Sequence, residues 1–460
     1  MHVAVAQKTK KEVIDAIDAK SPVYSAIAKQ IWDFAEVGYK ETKSSALLKE
    51  TLEKAGFKIE SGIAGIPTAF TATFGSGKPV IGILGEYDAL PGISQDATPE
   101  LKQIEGKTSG HACGHHLFGT ASAAAAIEVK NWMIANKKTG TIRFYGTPAE
   151  EGGSGKVYMV RDGLFNDVDA VVHWHPGAEN SAETGGTLAN KNGKIRFYGV
   201  ASHASAAPER GRSSLDAIEA MDVMINMMRE HVTPETRIHY VITRGGEAPN
   251  VVPAFAEGYY YVRHPNRDEV KAVWERVVKA AQGAALGTET RVEIELTGGV
   301  YNMLPNEALA KVMYKNLNIV GGYAYTESEK EFAQKIQKTF TKPPKLESTM
   351  EIEPFQIKNG VASTDVGDVS WVVPTVGLST ATWVPGTAAH SWQAVAAGGT
   401  SIGFKGMTMA AKTMALTTME LFESPAVLAE AWKELRLRRG ADFKYEALLG
   451  DRKPALNYRE

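Results

Sequence analysis

The chain has a single cysteine, Cys113, in 460 residues, and almost no net charge. It also lacks an apolar run approaching the roughly 20 residues that a membrane span requires. Each shortage excludes something. One thiol cannot form an intrachain disulfide framework, which suits a reducing compartment. The stretch Met1–Gln7 is too short for a secretory apolar region, and Lys8, Lys10 and Lys11 follow it instead of preceding it. With 51 basic against 53 acidic residues, neither nucleic acid nor a membrane is marked as a partner. The run Arg436-Leu437-Arg438-Arg439 reads as a solvated helix end that complements the helix dipole. The composition agrees with a soluble enzyme and bounds little more; a cytoplasmic setting is the expectation, and the length suffices for two or three domains with large cores.

What is present gathers around Cys113. In Gly110-His111-Ala112-Cys113-Gly114-His115-His116 a thiolate and an imidazole stand two positions apart around a glycine, a spacing that lets both converge on one zinc or manganese ion. A cysteine alone is more often a small buried hydrophobe, and three further segments count against that reading. Thr147-Pro148-Ala149-Glu150-Glu151-Gly152-Gly153 follows a predicted strand over 141–145. Adjacent carboxylates at a strand end point in different directions, so one can bind metal while the other carries a proton. In Val171-Val172-His173-Trp174-His175-Pro176-Gly177 the period of a strand puts both histidines on one side, and one could ligate. Gly386-Thr387-Ala388-Ala389-His390-Ser391-Trp392 holds a lone histidine among small residues.

The ordered series Gly85-Glu86-Tyr87-Asp88-Ala89-Leu90-Pro91, the cysteine turn, Pro148 to Lys156, Trp174-His175-Pro176, Ser202-His203-Ala204, Ser363 to Trp371 and the His390 segment resembles the amidohydrolase branch of the dinuclear metallopeptidases, which contains aminoacylases and auxin-conjugate hydrolases. The resemblance runs from Ile31-Trp32-Asp33 to the helix over 405–421, nearly the whole chain. It implies that Cys113, His115, Glu151, His175 and His390 bind two divalent ions, manganese or zinc, with Cys113 as the bridge and Glu150 as general base. The Trp-His-Pro form favours His175 and leaves His173 as a packing or supporting histidine. Glu86 stands where related peptidases carry a ligand histidine, so Asp88 is expected to support His115 or another ligand through a hydrogen bond. His116 has no assigned role. The implied reaction is hydrolysis of a linear amide in an N-acyl amino acid, p-aminobenzoyl-glutamate or a similar conjugate, by water activated on the metals, its proton passing through Glu150 to the leaving amine. Cleavage of a small dipeptide is the alternative. A non-catalytic partner subunit would be expected to lack ligands or base, and all are present.

Helical periodicity over 12–19, 25–35, 44–55 and 121–134, with strands over 69–74, 80–85 and 141–145, predicts an α/β unit whose motifs sit at strand ends. After Glu183-Thr184-Gly185-Gly186 the pattern becomes β-α-β-β-α-β: strand 194–199, helix 213–231, strands 237–243 and 255–263, helix 268–286, strand 289–296. Metal motifs lie on both sides of this module. The catalytic domain is therefore discontinuous, residues 1–188 and 301–460 forming a mixed sheet flanked by helices around an inserted α+β sandwich, 189–300. The resemblance makes the insert a lid that dimerises, in a homodimer or a heteromer with a related subunit, with His203 reaching a neighbouring site's carbonyl oxygen. Asn250 and Arg263 are lid positions suited to a substrate carboxylate. The stripe Met221, Met224, Met227, Met228 reads as deformable core.

Overall fold

The computed structural model describes residues 8–459, so the stretch Met1–Gln7 lies outside it. Helix Lys10–Phe34 opens on a capping box between Thr9 and Glu12 and runs through Pro22 without a break, where the sequence pattern suggests two helices. Its buried stripe Val13, Ile17, Tyr24, Ile27, Ala28 and Ile31 continues past the proline. Packing against helices His115–Ala135 and Ser401–Glu423 outweighs the local cost of proline in a helix.

The central sheet has six strands in the order Lys58–Ser61, Phe70–Ser76, Gly140–Gly146, Val80–Gly85, Ala170–Val172, Thr375–Val376. The first two junctions are antiparallel and the rest parallel, so the sheet is mixed. Its last strand comes from beyond the insert, which makes this domain discontinuous. The central parallel strands Val80–Gly85 and Ala170–Val172 are apolar throughout, as burial on both faces demands: Ile81, Ile83, Leu84, Val171 and Val172 are fully enclosed. Helix His115–Ala135 starts earlier than its alanine run suggests, so that His115 lies in its first turn. Gly119 lets this helix approach the sheet, because a Cβ there would come within 2.6 Å of the Glu86 carbonyl oxygen.

The insert forms a four-stranded antiparallel sheet in the order Arg237–Arg244, Phe255–His264, Ala189–Tyr198, Arg291–Val300, packed on helices Ser214–Met228 and Arg267–Gly287. Ile195, Phe197, Ile218, Met221, Val262 and Trp274 form its own core. The methionine stripe divides: Met221 and Met228 are buried, whereas Met227 is 65% exposed. Val223 beside it, and Val241 and Ile242 on the edge strand, are also exposed. Among the described residues no helix is long and apolar enough to cross a membrane.

One sequence expectation fails at the histidine pair. The strand Ala170–Val172 ends in the central sheet, and His175–Gly177 begins a separate three-stranded sheet with Leu378–Ala381 and Ser181–Ala182. His173 falls at the crossing between sheets, so strand periodicity does not extend from it to His175, and the two face different partners.

Candidate metal centre

The parallel strands aim their C-terminal ends at one place, and the loops that follow them build the site. Cys113 lies in the turn before helix His115–Ala135, with Gly114 in the left-handed region at φ 77°. A Cβ on Gly114 would come within 2.7 Å of Pro176, so glycine permits the close approach that puts Cys113 Sγ 3.4 Å from His175 Nε2. His175 Nδ1 lies 2.8 Å from the Pro176 carbonyl oxygen. A carbonyl can only accept, so Nδ1 carries the proton and Nε2 presents its lone pair towards the cysteine.

His115 is fully buried, with Nδ1 2.8 Å from Asp88 Oδ1 and Nε2 3.1 Å from Glu86 Oε2. The other Asp88 oxygen accepts the Glu151 backbone N–H at 2.9 Å. Asp88 therefore orients the imidazole and ties it to the Glu150-Glu151 loop. Across the site, Glu151 Oε1 stands 3.1 Å from His390 Nε2. His390 takes a left-handed backbone at φ 60°, unusual for a residue with a Cβ, and its N–H donates to the Ala112 carbonyl at 2.9 Å. Strain of this kind, held by a bond to the cysteine loop, aims the imidazole inward.

Three ligand sets have donor atoms within 4.8 Å of one another: Cys113, His115 and His175; Cys113, Glu151 and His390; Glu86, His115 and Glu150. The first two share Cys113. His115 Nε2, Glu86 Oε2 and Glu151 Oε1 are buried and make no hydrogen bond. Buried polar atoms are normally satisfied, so converging orphans suit cations. The donor set of one thiolate, imidazoles and carboxylates fits zinc and tolerates manganese. Withdrawal from water raises the Glu150 carboxyl well above the usual range, and the charges of Glu86 and Glu151 add to this. Burial, then the charge on His115, lowers His175 to about 4, leaving its imidazole neutral.

Further buried groups support the loop. Buried Glu41 accepts the Ala149 N–H at 2.9 Å and the Thr68 hydroxyl at 3.0 Å, holding Ala149 at φ 58°. Lys156, fully buried, places Nζ 2.6 Å from Glu86 and 2.7 Å from Asp365. Glu86, Lys156 and Asp365 belong to three separate sequence motifs, and only the fold reveals that they meet; Glu41 has no local signal. His116 bonds the Gly398 carbonyl at 2.9 Å and lies tilted against His111, ring centroids 4.8 Å apart, a packing role behind the site. His173 Nε2 faces Glu183 at 3.5 Å, away from the cysteine.

Two cavities flank this centre. The larger, about 530 Å³, runs from Cys113, Glu150 and His175 past His173, Glu183, Met303 and the segment 353–364. The smaller, about 330 Å³, lies between Glu150, Glu151 and His390 on one wall and Asn190, Asn192, Tyr261 and Arg263 of the insert on the other. Of the insert residues singled out from sequence, Arg263 lines the smaller cavity. His203 and Asn250 are exposed and line neither cavity, although they adjoin each other, the Ala204 N–H donating to the Asn250 carbonyl at 3.0 Å. His203 Nδ1 accepts the Ala206 N–H at 3.2 Å.

Residues 187–289 match the peptidase dimerisation domain of the M20 family. The chain is 43% identical, over 93% of its length and 95% of the relative's, to one of the subunits of p-aminobenzoyl-glutamate hydrolase from Escherichia coli K12. It belongs to the M20 peptidase family. This M20 hydrolase is also 29% identical to mouse Xaa-Arg dipeptidase, over 93% of its own length and 92% of the relative's. Its fold is shared by a dinuclear metal-binding M20 peptidase from Bacillus subtilis, at a TM-score of 0.60 and 17% identity, covering 88% of this chain and 99% of that one.

Proposed function

We propose that this M20 hydrolase cleaves the amide bond of an N-acyl amino acid, with p-aminobenzoyl-glutamate as the first candidate, using two divalent ions held by Cys113, His115, Glu151, His175 and His390. The observation that carries this reading is the pair of ligand sets joined through Cys113, with Glu150 beside them and a cavity on either side. Two divalent ions bound there supply a Lewis acid for the amide carbonyl and bring water's ionisation towards neutral pH. Glu150 takes the water's proton and returns it to the leaving nitrogen, a task suited to a carboxyl that lines both cavities beside the ligand sets. Asp88 holds the His115 tautomer, and Arg263 offers paired N–H donors to the substrate carboxylate. The acyl group occupies the larger cavity, the amino acid the smaller.

The insert, residues 189–300, acts in this reading as the dimerising lid between catalytic segments 1–188 and 301–460. Its exposed Val223, Met227, Val241 and Ile242 supply an apolar contact surface. The partner is a second copy or a related subunit. Exposed His203 and Asn250 serve the neighbouring subunit's site, His203 at the carbonyl oxygen. A cytoplasmic setting keeps the Cys113 thiol available as a ligand. Dipeptide cleavage is the second reading, favoured by Glu179, Glu183 and Glu353 in the wall of the larger cavity, where carboxylates would meet a free α-ammonium group.

The test is to strip the purified chain of metal, reload it with Mn²⁺ or Zn²⁺, and follow release of the amino acid from p-aminobenzoyl-glutamate, N-benzoylglycine and a dipeptide panel. Metal-dependent release from the first two supports the proposal. Cleavage of dipeptides alone supports the second reading, and no cleavage of any amide by the loaded chain refutes both.

A further inference from the structure

The smaller cavity contains two arginines that form no ion pair among the described residues. Arg263, near the end of strand Phe255–His264, and Arg459 both line it beside Glu150, Glu151 and His390. The Nε of each guanidinium is buried without a hydrogen-bond partner. Among the described residues neither pairs with a carboxylate; Arg263 lies over the Tyr261 ring and Arg459 over Tyr458. Both positive charges act on the same hydroxyl, that of Tyr261. A guanidinium Nε withdrawn from water and left without an acceptor is costly, and an anionic ligand removes the cost.

Arg459 is held there by a constructed seat. Its Nη2 donates to the Glu151 carbonyl, which also accepts from Tyr458 Oη at 3.2 Å. The Tyr458 ring stands edge-on to Tyr39 at 5.5 Å, and Tyr39 Oη donates to the Gly153 carbonyl at 2.7 Å. Gly38 leaves room for this arrangement: a Cβ there would lie 2.1 Å from Tyr458 Oη and 3.0 Å from Ala149. The segment that carries Arg459 is thus bound to the loop that carries Glu150 and Glu151.

We infer that Arg459 is a specificity-determining residue, which with Arg263 binds the two carboxylates of a dicarboxylic leaving amino acid and so selects N-acyl glutamate or aspartate over neutral conjugates. This rests on the proposed amide hydrolysis. One guanidinium suits the α-carboxylate common to every N-acyl amino acid. A second in the same cavity is matched only when the side chain carries another carboxylate, and a neutral side chain leaves it unpaired.

The experiment compares kcat/KM for N-benzoyl-glutamate and N-benzoyl-glutamine in the metal-loaded enzyme and in Arg459→Gln and Arg459→Lys. The wild-type ratio should favour glutamate, Arg459→Gln should lower that ratio at least about tenfold, and Arg459→Lys should retain part of it. A parallel fall for both substrates would mean that Arg459 only props the Glu151 loop, and an unchanged ratio would remove it from the site; either overturns the inference. Calorimetric binding of free glutamate and glutamine to the same metal-loaded proteins decides the matter independently of turnover. Tighter glutamate binding that is lost in Arg459→Gln supports the subsite even if amide hydrolysis fails, and equal binding of both amino acids to the wild type overturns it.

Discussion

At the scale of single residues, the two adjacent carboxylates have been given different work by their surroundings. Glu151 faces His390 at 3.1 Å, and although burial works to raise it, that histidine followed by His115 holds its carboxyl below the usual range. For Glu150 withdrawal from water, with the charges of Glu86 and Glu151 added, outweighs the charge on His115 and raises the carboxyl. Groups pushed apart in this way suit a ligand and a proton carrier. Glu150→Gln keeps the shape but cannot accept a proton, so turnover should fall by at least about 10²-fold. Elemental analysis should find the metal content of this variant unchanged; a fully active variant would reduce Glu150 to a structural acid. The histidine pair shows where residue-level reading stops, since His173 and His175 are equivalent in strand periodicity. They differ only because the strand ends at Val172 and the chain changes sheets.

At the scale of elements, the site depends on where two helices begin. Helix His115–Ala135 places His115 in its first turn, and Gly119 sets its distance from the strand before Glu86. Helix Gly155–Arg161 carries Lys156 into a fully buried position between Glu86 and Asp365, and the Lys156 backbone N–H donates to Asp365 at 2.9 Å. Asp365 precedes helix Val366–Val372 on the far side of the insert, so one ammonium group joins both halves of the discontinuous domain. Removing one partner from a buried ionic cluster leaves uncompensated charge. Lys156→Met should therefore cost about 3–5 kcal/mol in denaturant unfolding, and adding Glu86→Gln should recover part of the loss. A neutral effect of Lys156→Met would mean that water reaches the cluster.

At the scale of the whole molecule, His203 and Asn250 stand outside the cavities of their own chain while Arg263 from the same insert lines one of them. If His203 serves a neighbouring subunit, two inactive variants should rescue each other. Mixing His203→Ala with Glu150→Gln and allowing subunit exchange yields mixed dimers in half of the population. Each holds one site with both an intact base and an intact lid histidine, so activity should return to roughly a quarter of wild type. Exchange demonstrated by mass spectrometry without recovery would confine His203 to its own chain or exclude it from the reaction.

Much of this architecture is legible in the chain because its signals are local. Cys113 and His115 are two residues apart, Glu150 and Glu151 follow a strand, and the β-α-β-β-α-β pattern of the insert is a matter of hydrophobic period. Local signals end where contacts join distant segments. That Cys113 meets His175, that His390 meets Glu151, and that Lys156 bridges Glu86 to Asp365 follow from the packing of helices on a shared sheet. Pro22 stays within a helix because a buried stripe on both sides of it holds the helix in place, energy that no short window of sequence contains. Glu41 and Arg459 carry no motif at all. Their importance lies in what they touch, the Ala149 N–H and the Glu151 carbonyl, and backbone groups of a folded loop leave no mark in a sequence until the fold has brought a side chain to them.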